Sequence, residues 1–142
     1  MRFFDRGMFA LAALIVASAH IQAHAQFARH EVIAFESASM PLGDFLSGKK
    51  GTPVILAGLL RLPKPSEKGP AVILLHGSAG LSGSGGSVHE WSRVLNEAGI
   101  ATFAVDSFSG RGVATLADSG RVNSCTRAVD AYRALDVLAK HP

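Results

Sequence analysis

The chain has 142 residues, of which 48% are apolar and 18% charged, and its formal net charge is +3. These values exclude a disordered or fibrous protein and are typical of a globular chain. The basic residues are scattered and have no aromatic residues between them, so the sequence predicts no nucleic-acid partner. Two of the six histidines lie within residues 1–25, and the others do not indicate a metal site.

The first 25 residues have the three parts of a secretory signal. Two arginines occur in MRFFDRG, a short apolar run follows in MFALAALIVASA, and Ala23 and Ala25 provide the small residues of an A-x-A cleavage site. The apolar run is short for a bilayer span, so an uncleaved anchor is the weaker alternative. We therefore expect export to the periplasm or the medium, a mature region of residues 26–142, and no stable membrane association after cleavage.

Four strands are predicted after the signal. The segment His30–Ser37 alternates with period two, and Thr52–Pro63 is the second strand. The third and fourth strands, Ala71–His76 (AVILLH) and Ile100–Asp106 (IATFAVD), are nearly continuous apolar runs. Such runs indicate strands that are covered on both faces, as in a parallel sheet.

Two helices are predicted, one before and one after the fourth strand. The first begins at Ser87, where Ser87 and Glu90 form an S-x-x-E capping box, and the second occupies Arg121–Pro142. Each helix has an apolar stripe that is expected to face the sheet: Val88, Trp91, Val94, Leu95 and Ala98 on the first, and Val122, Cys125, Val129, Tyr132, Leu135 and Leu138 on the second. The pattern predicts an α/β fold with helices on both faces of the sheet.

The sequence HGSAG, residues 76–80, raises the question of a serine nucleophile. The usual elbow is G-x-S-x-G in a sharp strand-to-helix turn, but His76 occupies the first glycine position and LSGSGG separates Ser78 from the helix. A glycine-rich loop after an early strand is better suited to another role, in which backbone N–H groups stabilise a developing oxyanion. We therefore assign the amides of Gly77, Ser78 and Ala79 to an oxyanion hole.

Other polar residues near these loops have simpler interpretations. His76 is expected to shape the loop at the substrate site, since a general base needs a nucleophile within hydrogen-bonding distance. Asp106 is expected to cap its own loop. Arg111 is either a solvated loop residue or a bidentate ligand of a substrate carboxylate. Cys125 is interpreted as a buried, inert thiol, and the segment 82–86 as a mobile rim of the site or a flexible spacer.

These residues together resemble part of a known family. Four segments, taken in chain order, resemble the N-terminal half of the dienelactone hydrolase family. They are GTPVILAGLLRLP, GPAVILLHGSAGL, WSRVLNEAGIATFAVDSFSGRGV and RVNSCTRAVDAYRALDVLAKHP. The resemblance implies a three-layer α/β-hydrolase sheet, of which about four strands and two helices are present. It also implies hydrolysis of a small ester or lactone by a Ser or Cys, His and Asp mechanism without a cofactor, with all three catalytic side chains after Pro142.

Two alternatives remain open at this stage. A dinucleotide-binding domain would use the glycine-rich loop and Asp106, but the fingerprint G-x-G-x-x-G fails because position 88 is Val88. A chain without catalysis of its own is the other alternative. In the strand order of the family, Ala71–Leu75 would be an uncovered apolar edge in this chain, so we expect residues 26–142 alone to be poorly soluble.

Overall fold

The structure is a computed structural model that describes residues 29–63, 68–83, 85–114 and 116–142. The predicted signal, residues 1–25, lies outside the described residues. The elements in chain order are β1 (Arg29–Ser39), α1 (Leu42–Leu46), β2 (Thr52–Leu62), β3 (Ala71–Leu75), α2 (Gly80–Gly83), α3 (Gly85–Glu97), β4 (Ala101–Asp106), two 3₁₀ helices (Ser109–Arg111 and Leu116–Arg121) and α4 (Ser124–Lys140). The four predicted strands are confirmed with small shifts at their ends, whereas α1 and α2 were not predicted.

The strands form one mixed sheet in the order β1-β2-β4-β3. β1 pairs antiparallel with β2 and β2 antiparallel with β4, whereas β3 and β4 are parallel, with Ala71 opposite Ala101 and Leu75 opposite Val105. The parallel pair and its connecting helix α3 confirm the α/β class. Because β3 and β4 run in the same direction, the loops that follow them emerge at the same edge of the sheet.

α3 and α4 cover opposite faces of this sheet. Leu60 and Phe103 pack with Ala134 of α4 in the main apolar cluster. The next residue of β2, Arg61, instead contacts His89 of α3. Successive side chains of a strand point to opposite faces, so the two helices lie on opposite sides of β2.

The predicted inner faces of the helices are partly wrong. α3 begins at Gly85, so Ser87 lies inside the helix and not at its N-cap. Trp91 is 59% exposed and Tyr132 is 71% exposed, so neither is a core residue. The fully buried face of α4 consists of Thr126, Asp130 and Ala134. The reason is that Asp130 has a buried cationic partner, described below, which makes a polar face compatible with burial.

β3 is more exposed than its apolar sequence predicted. It has no buried residue and Leu75 is 40% exposed, whereas β4 is buried at five of its six positions. The reason is topological: within the described residues β3 pairs with β4 alone and forms an edge of the sheet. The expectation that Ala71–Leu75 is an apolar edge is therefore confirmed.

The exposed edge leads to a prediction about solubility. We expect residues 26–142 expressed alone to aggregate or to form a molten state, because β3 offers unpaired backbone groups and carries no charge. Leu75→Lys should raise the soluble fraction in centrifugation assays. Val32→Lys on β1 is the matched control, since that edge already carries Arg29 and Glu36. A soluble monomer with a sharp cooperative melt would contradict this prediction.

Candidate functional site

A cleft of about 350 Å³ lies at the edge of the sheet where β3 and β4 end. Its wall is formed by the loop after β3, the short helix α2, the first half of α3 and the loop after β4. The lining residues are Ala79, Gly80, Leu81, Ser82, His89, Asp106, Phe108, Ser109, Val113 and Ala114. Crevices at the carboxyl ends of parallel strands are the usual ligand sites of α/β sheets.

The loop after β3 forms a tight turn at one side of the cleft. The amide of Gly80 donates to the carbonyl oxygen of Gly77 at 3.2 Å. Gly80 has a φ of +77°, a conformation that favours glycine, and a Cβ there would lie 3.4 Å from the Phe108 ring. In contrast, the amides of Gly77, Ser78 and Ala79 have no hydrogen-bond acceptor in the part of the chain that the structure describes. Ala79 lines the cleft, so one of these three amides belongs to a residue of the cleft wall.

His76 connects the two loops that border the cleft. Its Nε2 accepts a hydrogen bond from the amide of Ser107 at 3.1 Å, which requires the ring proton to be on Nδ1. Nδ1 then donates to the carbonyl oxygen of Gly77 at 2.7 Å. The residue is 3% exposed, and its ring meets the Phe108 ring edge-on. These contacts agree with a loop-shaping role, and they leave neither ring nitrogen to bind a substrate.

Arg127 is a site residue that the sequence analysis missed. From α4 its Nη2 donates to the carbonyl oxygens of His76 and Gly77, both at 3.0 Å, and its guanidinium lies 5.1 Å from the centre of the Phe108 ring. These bonds hold the two carbonyls toward α4. No local pattern could have indicated this, because Arg127 is 50 residues from Gly77 in the chain.

Asp106 caps the loop after β4, as predicted. Its Oδ1 accepts from the amides of Phe108 and Ser109 at 2.9 and 3.0 Å, and its Oδ2 accepts from the Ser109 hydroxyl. Burial opposes ionisation of this carboxyl, but the hydrogen bonds from Ser109 and Phe108 outweigh it and lower the pKa of Asp106 below its ordinary value. A carboxylate engaged in this way is not directed at a ribose, which argues against a dinucleotide site.

The lowered pKa of Asp106 predicts how stability depends on pH. The contribution of the ionised group is complete above its unfolded-state pKa, about 3.8, and is lost as the pH falls through the lower pKa of the folded state. We expect the difference in unfolding free energy between the wild type and Asp106→Asn to be constant near neutrality and to shrink in strong acid. Ser109→Ala should reduce this dependence. Urea titrations of a version of the protein extended past Pro142 measure this difference across the pH range, and a difference that grows on acidification would contradict the prediction.

Arg111 is neither a solvated loop residue nor a substrate ligand. Its side chain is 6% exposed, and it forms a bidentate ion pair with Asp130, which is fully buried, at 2.8 Å for both hydrogen bonds. Its other donors reach Ser39 Oγ, the Ser107 carbonyl and the Ala38 carbonyl. All five guanidinium hydrogens are thus used within the protein. The two sequence-based interpretations of Arg111 are wrong because its partner comes from α4.

The same network fixes the loop that carries Arg111. Asp130 also accepts a hydrogen bond from the Ser37 hydroxyl, so β1, α4 and the loop after β4 meet at one buried carboxylate. Gly110 approaches β2 closely, since a Cβ there would lie 2.2 Å from the Ile55 carbonyl oxygen. The loop is therefore held on both sides, which gives the cleft a defined wall.

Three further findings limit the chemistry of the described residues. Cys125 is a free thiol of intermediate exposure, not fully buried. Among residues 29–63, 68–83, 85–114 and 116–142, no three His, Cys, Asp or Glu side chains are grouped so as to hold a metal ion. No helix in these ranges has the length and apolar character needed to cross a membrane.

Comparisons with family models, curated proteins and solved structures find no match for this chain. The resemblance to the dienelactone hydrolase family therefore rests on the residues quoted above and stays a prediction.

Proposed function

We propose that this chain is the N-terminal part of an exported hydrolase of the dienelactone hydrolase type, acting on a small ester or lactone. In this proposal the sheet belongs to a three-layer α/β-hydrolase domain, and the loop His76–Gly80 is its oxyanion hole. The strand order β1-β2-β4-β3, with parallel β3 and β4, supports the proposal. The attacking Ser or Cys, the His and the Asp are assigned to a part of the protein that follows Pro142.

The observation that carries the proposal is that the amides of Gly77, Ser78 and Ala79 have no hydrogen-bond acceptor in the described part of the chain. When a nucleophile adds to an ester carbonyl, the carbonyl oxygen gains negative charge, and donors that are already in place stabilise it without reorganisation. The Gly77 and His76 carbonyls are held away by Arg127, and Gly80 closes the turn. Small side chains at positions 77, 79 and 80 let a substrate carbonyl approach the main chain.

Ser78 is not assigned as the nucleophile. A serine hydroxyl needs a neighbouring general base, and both nitrogens of the adjacent His76 are already bonded to Ser107 and Gly77. Ser78 itself is exposed. The contribution of this residue is therefore its backbone N–H.

An ester hydrolysis assay tests the proposal. We expect the 142-residue chain to leave a short aryl ester such as phenyl acetate unhydrolysed, and a version of the protein extended past Pro142 to hydrolyse it. Ser78→Ala is the matched variant, which removes the hydroxyl and keeps the amide, so it should retain activity in the extended protein. Turnover by the short chain that disappears in Ser78→Ala would overturn the assignment.

Export is tested separately. N-terminal sequencing of the protein from a bacterial periplasm should begin at Gln26, because Ala23 and Ala25 satisfy the A-x-A rule. Replacing Ala25 by tryptophan should block cleavage. An intact N-terminus on the wild-type protein would contradict this part of the proposal.

A further inference from the structure

His89 is a polar residue of the cleft that the oxyanion argument does not use. It is exposed on α3 and lines the same cleft as Ala79. The other polar side chains with a known bond there, Asp106 and Ser109, are engaged with each other. His89 is different because its ring contacts the buried guanidinium of Arg61.

Arg61 lies on β2 and is 6% exposed. Its Nη2 lies 2.5 Å from Nδ1 of His89. Burial lowers the pKa of Arg61 from its ordinary value, yet a guanidinium keeps its proton in proteins and has no acceptor. Nδ1 of His89 must therefore be the acceptor, and the proton of the neutral ring is placed on Nε2.

The consequence is a fixed donor on the cleft wall. Within the described part of the chain, Nε2 of His89 has no hydrogen-bond partner. We propose that His89 is a substrate-binding residue that donates its Nε2 hydrogen to an oxygen of the substrate, and that Arg61 is the positioning residue that selects this tautomer. This inference rests on the proposed function, because it assumes that the ester occupies the same cleft.

The geometry points to a class of substrate. The amides near Ala79 and the His89 ring are separate donors on one cleft whose wall also contains the apolar side chains of Leu81, Phe108 and Val113. A ligand that satisfies both has an acceptor oxygen in addition to the ester carbonyl, on a small apolar body that fits about 350 Å³. We therefore assign the site to small oxo- or alkoxy-substituted esters and lactones in preference to plain alkyl esters.

The tautomer is tested first, on the version of the protein that is extended past Pro142. In the ¹⁵N NMR spectrum, the neutral form of the His89 ring should be protonated at Nε2. Arg61→Leu should abolish this preference, and Arg61→Lys, which keeps a donor, should restore part of it. A wild-type His89 protonated at Nδ1 would overturn the inference, and this outcome does not depend on whether the Arg61 variants fold.

Binding is tested with two probes that differ in one oxygen. Methyl acetoacetate has a second acceptor that methyl butyrate lacks, and one neutral hydrogen bond corresponds to a roughly two- to tenfold tighter affinity. NMR titration should show this preference in the wild type and in the control Glu90→Ala, and no preference in His89→Leu. Equal affinities in the wild type would overturn the inference.

The same titration separates this inference from the proposed function. The amide signals of Ser78 and Ala79 should shift with both esters, whereas the Nε2 signal of His89 should shift with methyl acetoacetate alone. If the two amide signals shift and the Nε2 signal of His89 does not, the inference is overturned and the oxyanion hole remains supported. If the Nε2 signal of His89 shifts and the amide signals do not, the oxyanion-hole assignment is overturned and His89 remains a ligand-binding residue.

Discussion

Asp130→Ala is expected to lower the free energy of unfolding by about 3–5 kcal/mol. The substitution leaves the Arg111 guanidinium buried without a counter-ion and removes the acceptor of the Ser37 hydroxyl. Since the whole stability of a domain is about 5–15 kcal/mol, this variant should be largely unfolded in mild denaturant. Urea titration of the version extended past Pro142, followed by circular dichroism, measures the loss.

The same helix provides a matched control. Asp136 forms an ion pair of 3.8 Å with Arg133, and both side chains are more than half exposed, at 64% and 58%. Asp136→Ala should therefore cost less than about 1 kcal/mol. The double variant Arg111→Met/Asp130→Leu should be more stable than Asp130→Ala, because no buried charge remains. Equal losses of unfolding free energy for Asp130→Ala and Asp136→Ala would contradict the prediction that the buried ion pair contributes more to stability than the exposed one.

The strands could be predicted from the sequence because their hydrophobic patterns are local. The alternation in β1 and the continuous run in β4 depend only on which faces are covered, and both strands lie where they were expected. The position of β3 at an edge followed from the resemblance and not from its own residues. A continuous apolar run cannot by itself distinguish an edge strand from a central one.

The inner face of α4 could not be predicted in the same way. Hydrophobic periodicity assumes that the buried face is apolar, and it placed Tyr132 and Leu135 inside. The burial of Asp130 is explained by its partners Arg111 and Ser37, which lie 19 and 93 residues away in the chain and in other elements. An interaction of this kind overrides periodicity, and no local signal identifies the partner.

The candidate site was predicted in part. The loop His76–Gly80 and the capping role of Asp106 could be inferred because glycine turns and Asx caps are local chemistry. Arg127 and His89 could not, since each acts through a contact between elements that are distant in sequence. Arg111 was singled out, but its role was misjudged for the same reason.

Removing the amide of Ala79 should reduce kcat of the extended, active protein by roughly 10²–10³. Ala79 lines the cleft and its amide has no acceptor in the described part of the chain, so we expect this amide to be available to the oxyanion in the transition state. Replacing Ala79 by lactic acid changes the N–H to an ester oxygen and preserves the methyl side chain. KM should change little, because a neutral carbonyl oxygen binds the donor less strongly than an oxyanion does.

Steady-state hydrolysis of phenyl acetate by this backbone-ester variant, beside Ser78→Ala, is the most direct test of the oxyanion assignment. We expect a large fall in kcat for the variant at position 79 and a kcat near that of the wild type for Ser78→Ala. Unchanged turnover without the amide, or turnover abolished by loss of the Ser78 hydroxyl, would contradict the assignment.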